Sequence, residues 1–290
     1  MGCKLCGSSD LSFALRPKRY EFDVFICNSC GVLFRYPFPT KDEIKSYYTE
    51  GYYSGQNGYS YLDERKIKGS HLVWDRRIDK LISIYTRENL RSPINILDVG
   101  CSFGGFLERA RMKGLQPYGI EISEYSANYA RSRGIEVFVG DVGEVELGSE
   151  RFDIITMIEV VEHLEDPLSV MKKIYNSNTK GGVLLIQTAN INGLQSKLWG
   201  RRYHYYLPGH LHYFSNTTLK NLLRGLGYRK ILEFYPVEFD LFPKLAKTFL
   251  NTRGVYRYVK VLKTLFYHLL GKFRIGDFTL TSSMVIVGVK

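Results

Sequence analysis

Apolar and polar segments alternate regularly between residues 94 and 189, and this alternation predicts five strands with helices between them. The segment from Phe152 to Glu159 is almost continuously apolar, which is typical of a strand buried on both faces of a parallel sheet. Two later apolar segments add a sixth and a seventh strand. The pattern therefore predicts an α/β fold with a Rossmann-like, doubly wound, mostly parallel seven-stranded sheet. The predicted strands begin at Ile94 and cover Gln116–Glu121, Glu136–Val139, Phe152–Glu159, Gly182–Ala189, Tyr228–Tyr235 and Ser283–Val289.

Helical spacing of apolar residues marks two further segments. The first is a helix from about Arg65 to Tyr85, and the second is an insertion at 242–273. The chain thus divides into an N-terminal unit at 1–40, a linker with the first helix at 41–93, and the α/β domain at 94–290. The linker contains tyrosines that could fold over a ligand as a lid or pack between domains: Tyr47, Tyr48, Tyr52, Tyr53 and Tyr59.

Four of the five cysteines form two Cys-x-x-Cys pairs, Cys3 with Cys6 and Cys27 with Cys30. This spacing is typical of a tetrahedral zinc site, and disulfides are the alternative. A segment of forty residues is too small for a core of its own, so bound zinc would supply much of its folding free energy. Because four thiolates leave no open coordination position, we expect a structural Zn²⁺ in a small N-terminal zinc ribbon at 1–40.

The first strand of the α/β domain leads into a glycine-rich turn that opens a helix. Gly100 and Gly104 let the backbone approach a ligand closely, and the helix start offers unpaired N–H groups. The dinucleotide pattern G-x-G-x-x-G would need a glycine at Ser102, so this turn departs from it. Glu121, at the end of the second strand, can accept both hydroxyls of a ribose. Asp141, at the end of the third strand, can face the amino group of an adenine.

These residues and their spacing resemble the class I S-adenosylmethionine (SAM)-dependent methyltransferases. The resemblance implies a SAM cofactor, with Glu121 at the ribose and Ile122 beside the adenine. The run from Ile158 to Leu164 is similar to the "EVxEH" signature of many members, whose strand end faces the sulfonium. His163 in that run is then either a catalytic residue or a hydrogen-bonded structural one. The remaining residues assigned to the cofactor by the resemblance are Asp98, Gly100, Cys101, Gly104, Asp141, Val142 and Glu159.

Residues 190–215 form a long segment after the fifth strand, where functional loops are common. Within it, Gly209–Ser215 resembles the "EHxxYFS" element of sugar C-methyltransferases, which also carry an N-terminal four-cysteine zinc region. By that match His210 takes the place of the base. Two departures are Gly209, where those enzymes have glutamate, and the lack of their large C-terminal domain.

Methyl transfer to a hydroxyl requires alignment of donor and acceptor and removal of one proton. Histidine titrates near neutral pH, so we predict that His210 or His212 acts as the base. Tyr205 or Tyr206 would position the acceptor, and the neighbouring Arg201 and Arg202 would bind a phosphate. The alternative is that the histidines only fasten the loop.

A net charge of +11 favours an anionic partner, although solvated surfaces explain such a charge equally well. We predict a small-molecule or glycan acceptor, a nucleotide-linked sugar or surface glycan precursor, methylated on a hydroxyl or a carbon. Alternatives are a nucleotide-sugar or NAD oxidoreductase and a nucleic-acid methyltransferase or RNA-binding protein. Nucleic acid is the weaker expectation as a partner, because no amino-methylating signature and no long basic block is present.

The sequence shows no signal peptide and no apolar segment long enough for a spanning helix, so we expect a cytoplasmic protein. The insertion at 242–273 has lysines and arginines opposite its apolar residues. A basic amphipathic helix of this kind can lie on an anionic membrane. Peripheral membrane contact is therefore one expectation for 242–273, and packing on the domain or a homodimer interface are the others.

Overall fold

The N-terminal cysteine pairs sit on a small antiparallel sheet in a computed structural model, which describes residues 1–47, 63–149, 151–234, 236–271 and 273–290. Its strands are β1 (Leu11–Leu15), β2 (Asp23–Cys27) and β3 (Leu33–Tyr36). They pair in chain order. The four cysteines lie on the turns at the ends of these strands, as the spacing predicts.

The main sheet has seven strands in the order β10-β13-β8-β7-β4-β5-β6. Only β13, within the described residues, runs antiparallel to its neighbours in this sheet. This confirms the predicted Rossmann-like, mostly parallel fold. The seven strands are β4 (Asn95–Val99), β5 (Gln116–Glu121), β6 (Glu136–Val139), β7 (Phe152–Ile158), β8 (Asn178–Ala189), β10 (Lys230–Phe234) and β13 (Ser283–Val289).

Helices cover both faces of this sheet. Successive residues of β8 therefore pack into opposite layers, with Leu184 in one apolar cluster and Leu185 in the other, both almost completely buried. That alternation explains why the central strands read as continuous apolar runs. The helices are α1 (Lys41–Tyr47), α2 (Ser70–Asn89), α3 (Gly105–Met112), α4 (Glu124–Ser132), α5 (Pro167–Ser177), α6 (Leu194–Trp199), α7 (Asn216–Leu226), α8 (Pro236–Leu250) and α9 (Gly254–Leu270).

The strand order reverses between β4 and β7. From β4 the chain continues to β5 and β6 on one side, and then crosses to β7 on the other. A crevice forms outside the carboxyl ends of parallel strands at such a switch point, and ligands bind there. The fold thus places Gly100, Glu121 and Glu159 around one crevice.

The segment at 190–215, expected as a long loop, is partly regular. It contains α6, a short 3₁₀ turn and a two-residue strand, β9 (His212–Tyr213), which pairs with β3. The ribbon is therefore joined to the α/β domain by a shared sheet, and it is not a separate appendage. Phe34 of β3 lies in the same apolar cluster as Phe214 and Leu219 of the domain.

The insertion expected at 242–273 forms two helices, α8 and α9, followed by a short hairpin of β11 (Arg274–Ile275) and β12 (Phe278–Thr279). Helix α8 packs against α2 and α9. Of the predicted tyrosine cluster, Tyr47 ends α1, and Tyr48, Tyr52, Tyr53 and Tyr59 lie outside the described residues. No helix in the described ranges is long and apolar enough to cross a membrane.

Candidate active site

A cavity of about 510 Å³ opens at the carboxyl ends of β4, β5 and β7. Among the residues predicted from sequence, Gly104, Tyr205, Tyr206 and His212 do not line it. Helix α2 adds Trp74 and Arg77 to its wall, and sequence patterns gave no signal for either residue. The predicted residues that do line it are Asp98, Gly100, Cys101, Glu121, Ile122, Asp141, Val142, Glu159, His163 and His210.

The turn after β4 needs left-handed backbone at three positions. Gly100 has φ 76°, Ser102 has φ 49° and Gly104 has φ 77°. A Cβ at Gly100 would lie 2.7 Å from Cγ2 of Val160, and one at Gly104 would lie 2.6 Å from Cδ1 of Ile135. Gly104 therefore permits close packing under the turn and does not itself face the cavity. Glycine here serves both conformation and space.

Glu121 fixes the turn from the neighbouring strand. Its side chain is buried, its Oε2 accepts the N–H of Ser102 at 2.8 Å, and its Oε1 accepts the N–H of Ser123 at 2.9 Å. Each oxygen of a carboxylate can accept more than one hydrogen bond. A buried acid held in this way at the cavity wall can also accept two ligand hydroxyls.

Asp98 is the second-last residue of β4 and is almost completely buried. The hydroxyl of Thr156 donates to its Oδ1 at 2.5 Å. Burial, assisted by the charge of Glu121 and opposed by the Thr156 hydrogen bond, raises the pKa of Asp98 to about 7. A cationic group of a ligand beside Asp98 would favour its ionised form.

Glu159, at the end of β7, belongs to a polar cluster that also contains Glu162, His163, Tyr205 and His210. Glu159 has a left-handed backbone with φ 55°, an uncommon conformation that often marks functional sites. Gln187 donates to its Oε1 at 2.9 Å, and the hydroxyl of Tyr205 lies 3.2 Å from its Oε2. Water reaches Glu159 through the cavity, but protein atoms surround it. This partial desolvation and the charge of Glu162 raise its pKa to about 7.

Glu162 lies deeper than Glu159 and has no solvent exposure. Its Oε1 accepts a hydrogen bond from the hydroxyl of Tyr205. Its Oε2 is buried without a hydrogen-bond partner. Burial raises the pKa of Glu162. The site thus contains a pair of carboxylates with a shared tyrosine between them.

Two histidine rings complete this cluster. His163 and His210 lie edge to face with ring centroids 4.6 Å apart. Nδ1 of His163 lies 2.8 Å from the carbonyl of Gly209, and Nδ1 of His210 lies 2.8 Å from the carbonyl of Tyr205. A carbonyl only accepts, so Nδ1 carries the proton in both rings and Nε2 carries the lone pair. Burial lowers the pKa of His163 to about 4 and that of His210 well below its usual value.

His212 and Tyr206 occupy other places. His212 is completely buried beside Phe38 and Phe214, with ring centroids 5.7 and 6.3 Å away, where the ribbon meets the domain. Tyr206 is buried against Tyr213. Neither side chain reaches the cavity, so neither is placed to act as a base or to hold an acceptor there.

Arg201 and Arg202, expected to bind a phosphate, also lie outside the cavity wall. Nε of Arg201 donates to the carbonyl of Arg16 at 2.6 Å, and the carbonyl of Arg201 accepts the N–H of Lys18. Arg201 therefore fastens the ribbon to the domain.

A family model described as a methyltransferase domain matches residues 71–233, more than half of the chain. The chain belongs to this methyltransferase family. The predicted enzyme class is thereby confirmed, and the oxidoreductase alternative loses its basis. The match covers the glycine turn, Glu121 and the polar cluster of the methyltransferase.

Curated relatives of the methyltransferase include two ubiquinone biosynthesis O-methyltransferases. The protein of Leptothrix cholodnii is 31% identical over 107 residues, covering 34% of this chain and 46% of the relative. That of Bordetella bronchiseptica is 35% identical over 104 residues, covering 33% and 43%. The chain thus spans less than half the length of either relative.

Solved structures agree with the fold. A SAM-dependent methyltransferase from Archaeoglobus fulgidus has a TM-score of 0.53 and 20% identity, covering 78% of this chain and 97% of its own. The plantazolicin methyltransferase BamL, solved with a triazolic desmethylPZN analogue and S-adenosylhomocysteine (SAH), has a TM-score of 0.53 and 15% identity. It covers 79% of this chain and 87% of its own.

Proposed function

We propose that the protein transfers the methyl group of SAM to a hydroxyl of a lipid-linked glycan precursor or a similar amphipathic acceptor. The observation that carries the SAM site is Glu121, a buried carboxylate held by two backbone N–H groups at the switch point of the sheet. In this proposal Glu121 binds the ribose hydroxyls and Asp98 faces the ammonium group of the methionine part. Asp141 and Val142, on the cavity wall after β6, contact the adenine.

The acceptor hydroxyl is proposed to bind at the polar cluster of Glu159, His163 and His210. SAM supplies an electrophilic methyl group on sulfur. Glu159, which faces the cavity, accepts the proton of the hydroxyl as the oxygen attacks that methyl, and the electrons of the broken bond stay on sulfur. Burial makes both imidazoles weak bases, so Glu159 takes the role first expected of His210, and the two rings form the cavity wall beside the bound hydroxyl.

The chemical class of the acceptor rests on two supports. The curated relatives are named O-methyltransferases, which favours oxygen over carbon as the methylated atom. The glycan class rests on the resemblance of residues 209–215 to the sugar methyltransferases, and relatives named for ubiquinone biosynthesis give it no support. A nucleic-acid acceptor stays the alternative, because the charge of the chain is +11.

Replacing Glu121 tests the SAM site. Glu121→Ala is expected to weaken SAH binding by about 100-fold, because two charge-assisted hydrogen bonds are lost. Glu124→Ala, an exposed acid at the start of α4, is the matched control and keeps normal affinity. Isothermal titration calorimetry measures the SAH affinity of both variants, and circular dichroism verifies that both are folded. Equal affinities would remove Glu121 from the site.

A structural zinc in the ribbon is the second part of the proposal. The sulfurs of Cys3 and Cys30 lie 3.7 Å apart, and those of Cys6 and Cys27 lie 3.5 Å apart. Tetrahedral zinc with bonds of about 2.3 Å needs sulfurs about 3.8 Å apart. All four cysteines are free thiols, so the residues fit the ion.

The exposed surface of helix α9 is the evidence for a proposed contact with a membrane. Val255, Tyr258, Leu262 and Phe266 follow one another at spacings of three and four residues, and each is more than half exposed. These residues therefore form one apolar face that no described element covers. The stretch 241–276 contains eight lysines and arginines and no acidic residue. An apolar face within a purely cationic segment suits the surface of an anionic bilayer.

The position of this face also suits an acceptor with a lipid tail. Lys244 and Lys247 of α8 line the active-site cavity, and α8 packs directly on α9. We therefore propose that α9 rests on the membrane and that the acceptor's polar head enters the cavity from the bilayer surface.

Vesicle binding tests this contact. The double variant Leu262→Glu, Phe266→Glu is expected to lose binding to phosphatidylglycerol vesicles by about tenfold or more, since burial of two large apolar side chains is lost. Met112→Glu, exposed at the end of α3, is the control. Sedimentation with anionic and with neutral vesicles measures the effect. A wild-type dimer that dissociates in the double variant, without vesicle binding, would assign the face to self-association.

A further inference from the structure

A second cavity of about 610 Å³ lies between α8 and α9, and we call it the basic groove. Lys244 and Lys247 line it from α8, and Lys260 and Lys263 line it from α9. Within the described ranges, no aspartate or glutamate lines this groove. Four ammonium groups around one space repel one another, so the groove favours an anion.

The contact between the two helices holds the four lysines in place. The hydroxyl of Thr264 donates to the carbonyl of Lys260 at 2.9 Å, and the hydroxyls of Thr248 and Thr264 lie 3.3 Å apart. Nδ2 of Asn251 donates to the carbonyl of Lys68 at 2.7 Å, which ties the end of α8 to the segment before α2. Residues three apart lie on the same face of a helix. The groove therefore presents one pair of ammonium groups from each helix.

The basic groove adjoins the active-site cavity. Lys244 and Lys247 line both spaces, whereas Lys260 and Lys263 line only the groove. A ligand with an anionic group in the groove therefore brings its next group to the cavity, past the two shared lysines.

We infer that the basic groove binds the diphosphate group of the methyl acceptor. An ammonium group binds phosphate oxygens as a point charge with three N–H donors, so two pairs of lysines suit two linked phosphoryl groups. The lysines thereby take the phosphate-binding role first expected of Arg201 and Arg202, which line neither space. That the ligand is the methyl acceptor rests on the proposed function, whereas the diphosphate site itself does not.

The apolar face of α9 fits this arrangement. Successive residues of a helix are about 100° apart, so Lys260 and Lys263 lie about 160° and about 100° from Leu262 around the helix axis. The lysines of the groove are thus separate from the apolar face that is proposed to rest on the bilayer. The lipid tail stays in the bilayer, the diphosphate lies in the groove, and the sugar attached to it reaches the active-site cavity.

Inorganic pyrophosphate is the probe for the test. Isothermal titration calorimetry of the zinc-loaded protein with pyrophosphate is expected to show one saturable site per chain. Inorganic phosphate is expected to bind about tenfold more weakly or less, because it forms fewer charge-assisted hydrogen bonds with the lysines. Pyrophosphate is also expected to raise the melting temperature, since it binds the folded chain.

One double variant and one control define the site. The variant Lys260→Gln, Lys263→Gln is expected to weaken pyrophosphate binding by about tenfold or more, because two of the four charges are lost. Both side chains are exposed, so the fold is preserved. The control Lys172→Gln, Lys180→Gln removes the same charge from two exposed lysines that line neither the groove nor the active-site cavity. It is expected to keep full affinity.

The outcomes separate a diphosphate from other anions. Equal pyrophosphate affinity in wild type and the Lys260, Lys263 variant would overturn the site, and so would an equal loss in the control. Inorganic phosphate that binds as tightly as pyrophosphate would overturn the diphosphate assignment. Sedimentation with phosphatidylglycerol vesicles distinguishes a lipid headgroup. If the two lysines were needed for vesicle binding and not for pyrophosphate binding, the groove would belong to a phospholipid and the inference would be wrong.

The same titrations separate this inference from the proposed function. Wild-type protein that binds SAH and does not bind pyrophosphate would overturn the groove and leave the methyltransferase proposal standing. Failure of the wild type to bind SAH would contradict the proposed function, and the pyrophosphate titration would still report on the groove independently.

Discussion

The variant Glu159→Gln is expected to lower kcat by about 100- to 10,000-fold, the usual contribution of a positioned general base. Glutamine has the same shape and can still accept the hydrogen bond of Gln187 through its amide oxygen. It cannot accept a proton at neutral pH. The loss should therefore fall on the chemical step and leave SAH affinity nearly unchanged.

The comparison of kcat with SAH affinity also separates two roles of Glu159. The sequence resemblance assigns it to the cofactor, and the geometry favours the acceptor side, where Tyr205 and Glu162 adjoin it. Glu165→Gln, an exposed acid on the same segment, is the control. A large fall in SAH affinity with an unchanged kcat would return Glu159 to the cofactor role.

The variant Cys27→Ser is expected to abolish zinc binding and to unfold the ribbon. Structural zinc contributes about 10–16 kcal/mol in small zinc domains at neutral pH, more than the stability of most whole domains. Loss of the ribbon would also remove the β3–β9 pairing and the contact of Phe34 with the domain. Activity should fall as well, because β9 begins only two residues after His210.

Zinc content by mass spectrometry and proteolysis within residues 1–40 measure this effect. Cys101→Ala is the control, since Cys101 lies in the glycine turn and far along the chain from both pairs. Wild-type protein without zinc after expression in zinc-supplemented medium would contradict the proposed site. Full zinc content in Cys27→Ser would do the same.

The sequence predicted the central sheet well because burial on both faces leaves a continuous apolar run. The predicted bounds of β5, β6 and β13 are those of the structure. The glycine turn and Glu121 could also be predicted from the sequence, because the strand, the turn and the helix that form this site follow one another over a short stretch of chain. Sequence patterns predict those structural features whose residues are close to one another along the chain.

Contacts between residues that are far apart in the chain could not be predicted from these patterns. β9 is only two residues long, too short for any periodicity, and its partner β3 lies far away in the chain. The sequence therefore could not distinguish His210 from His212. In the structure His210 lines the cavity, whereas His212 is completely buried where the domain meets the ribbon. Arg77 lines the cavity from a helix whose pattern only indicates burial. Helical spacing also marked the apolar residues of 242–273 but does not say which of them are covered, so the sequence left membrane contact, packing on the domain and a dimer interface open.

Calorimetric titration of the zinc-loaded, folded protein with SAH tests the central claim most directly. The account predicts saturable binding of one SAH per chain, and no binding of NAD⁺ at the same concentrations. Folded protein that gives no binding signal with either SAH or SAM would contradict it.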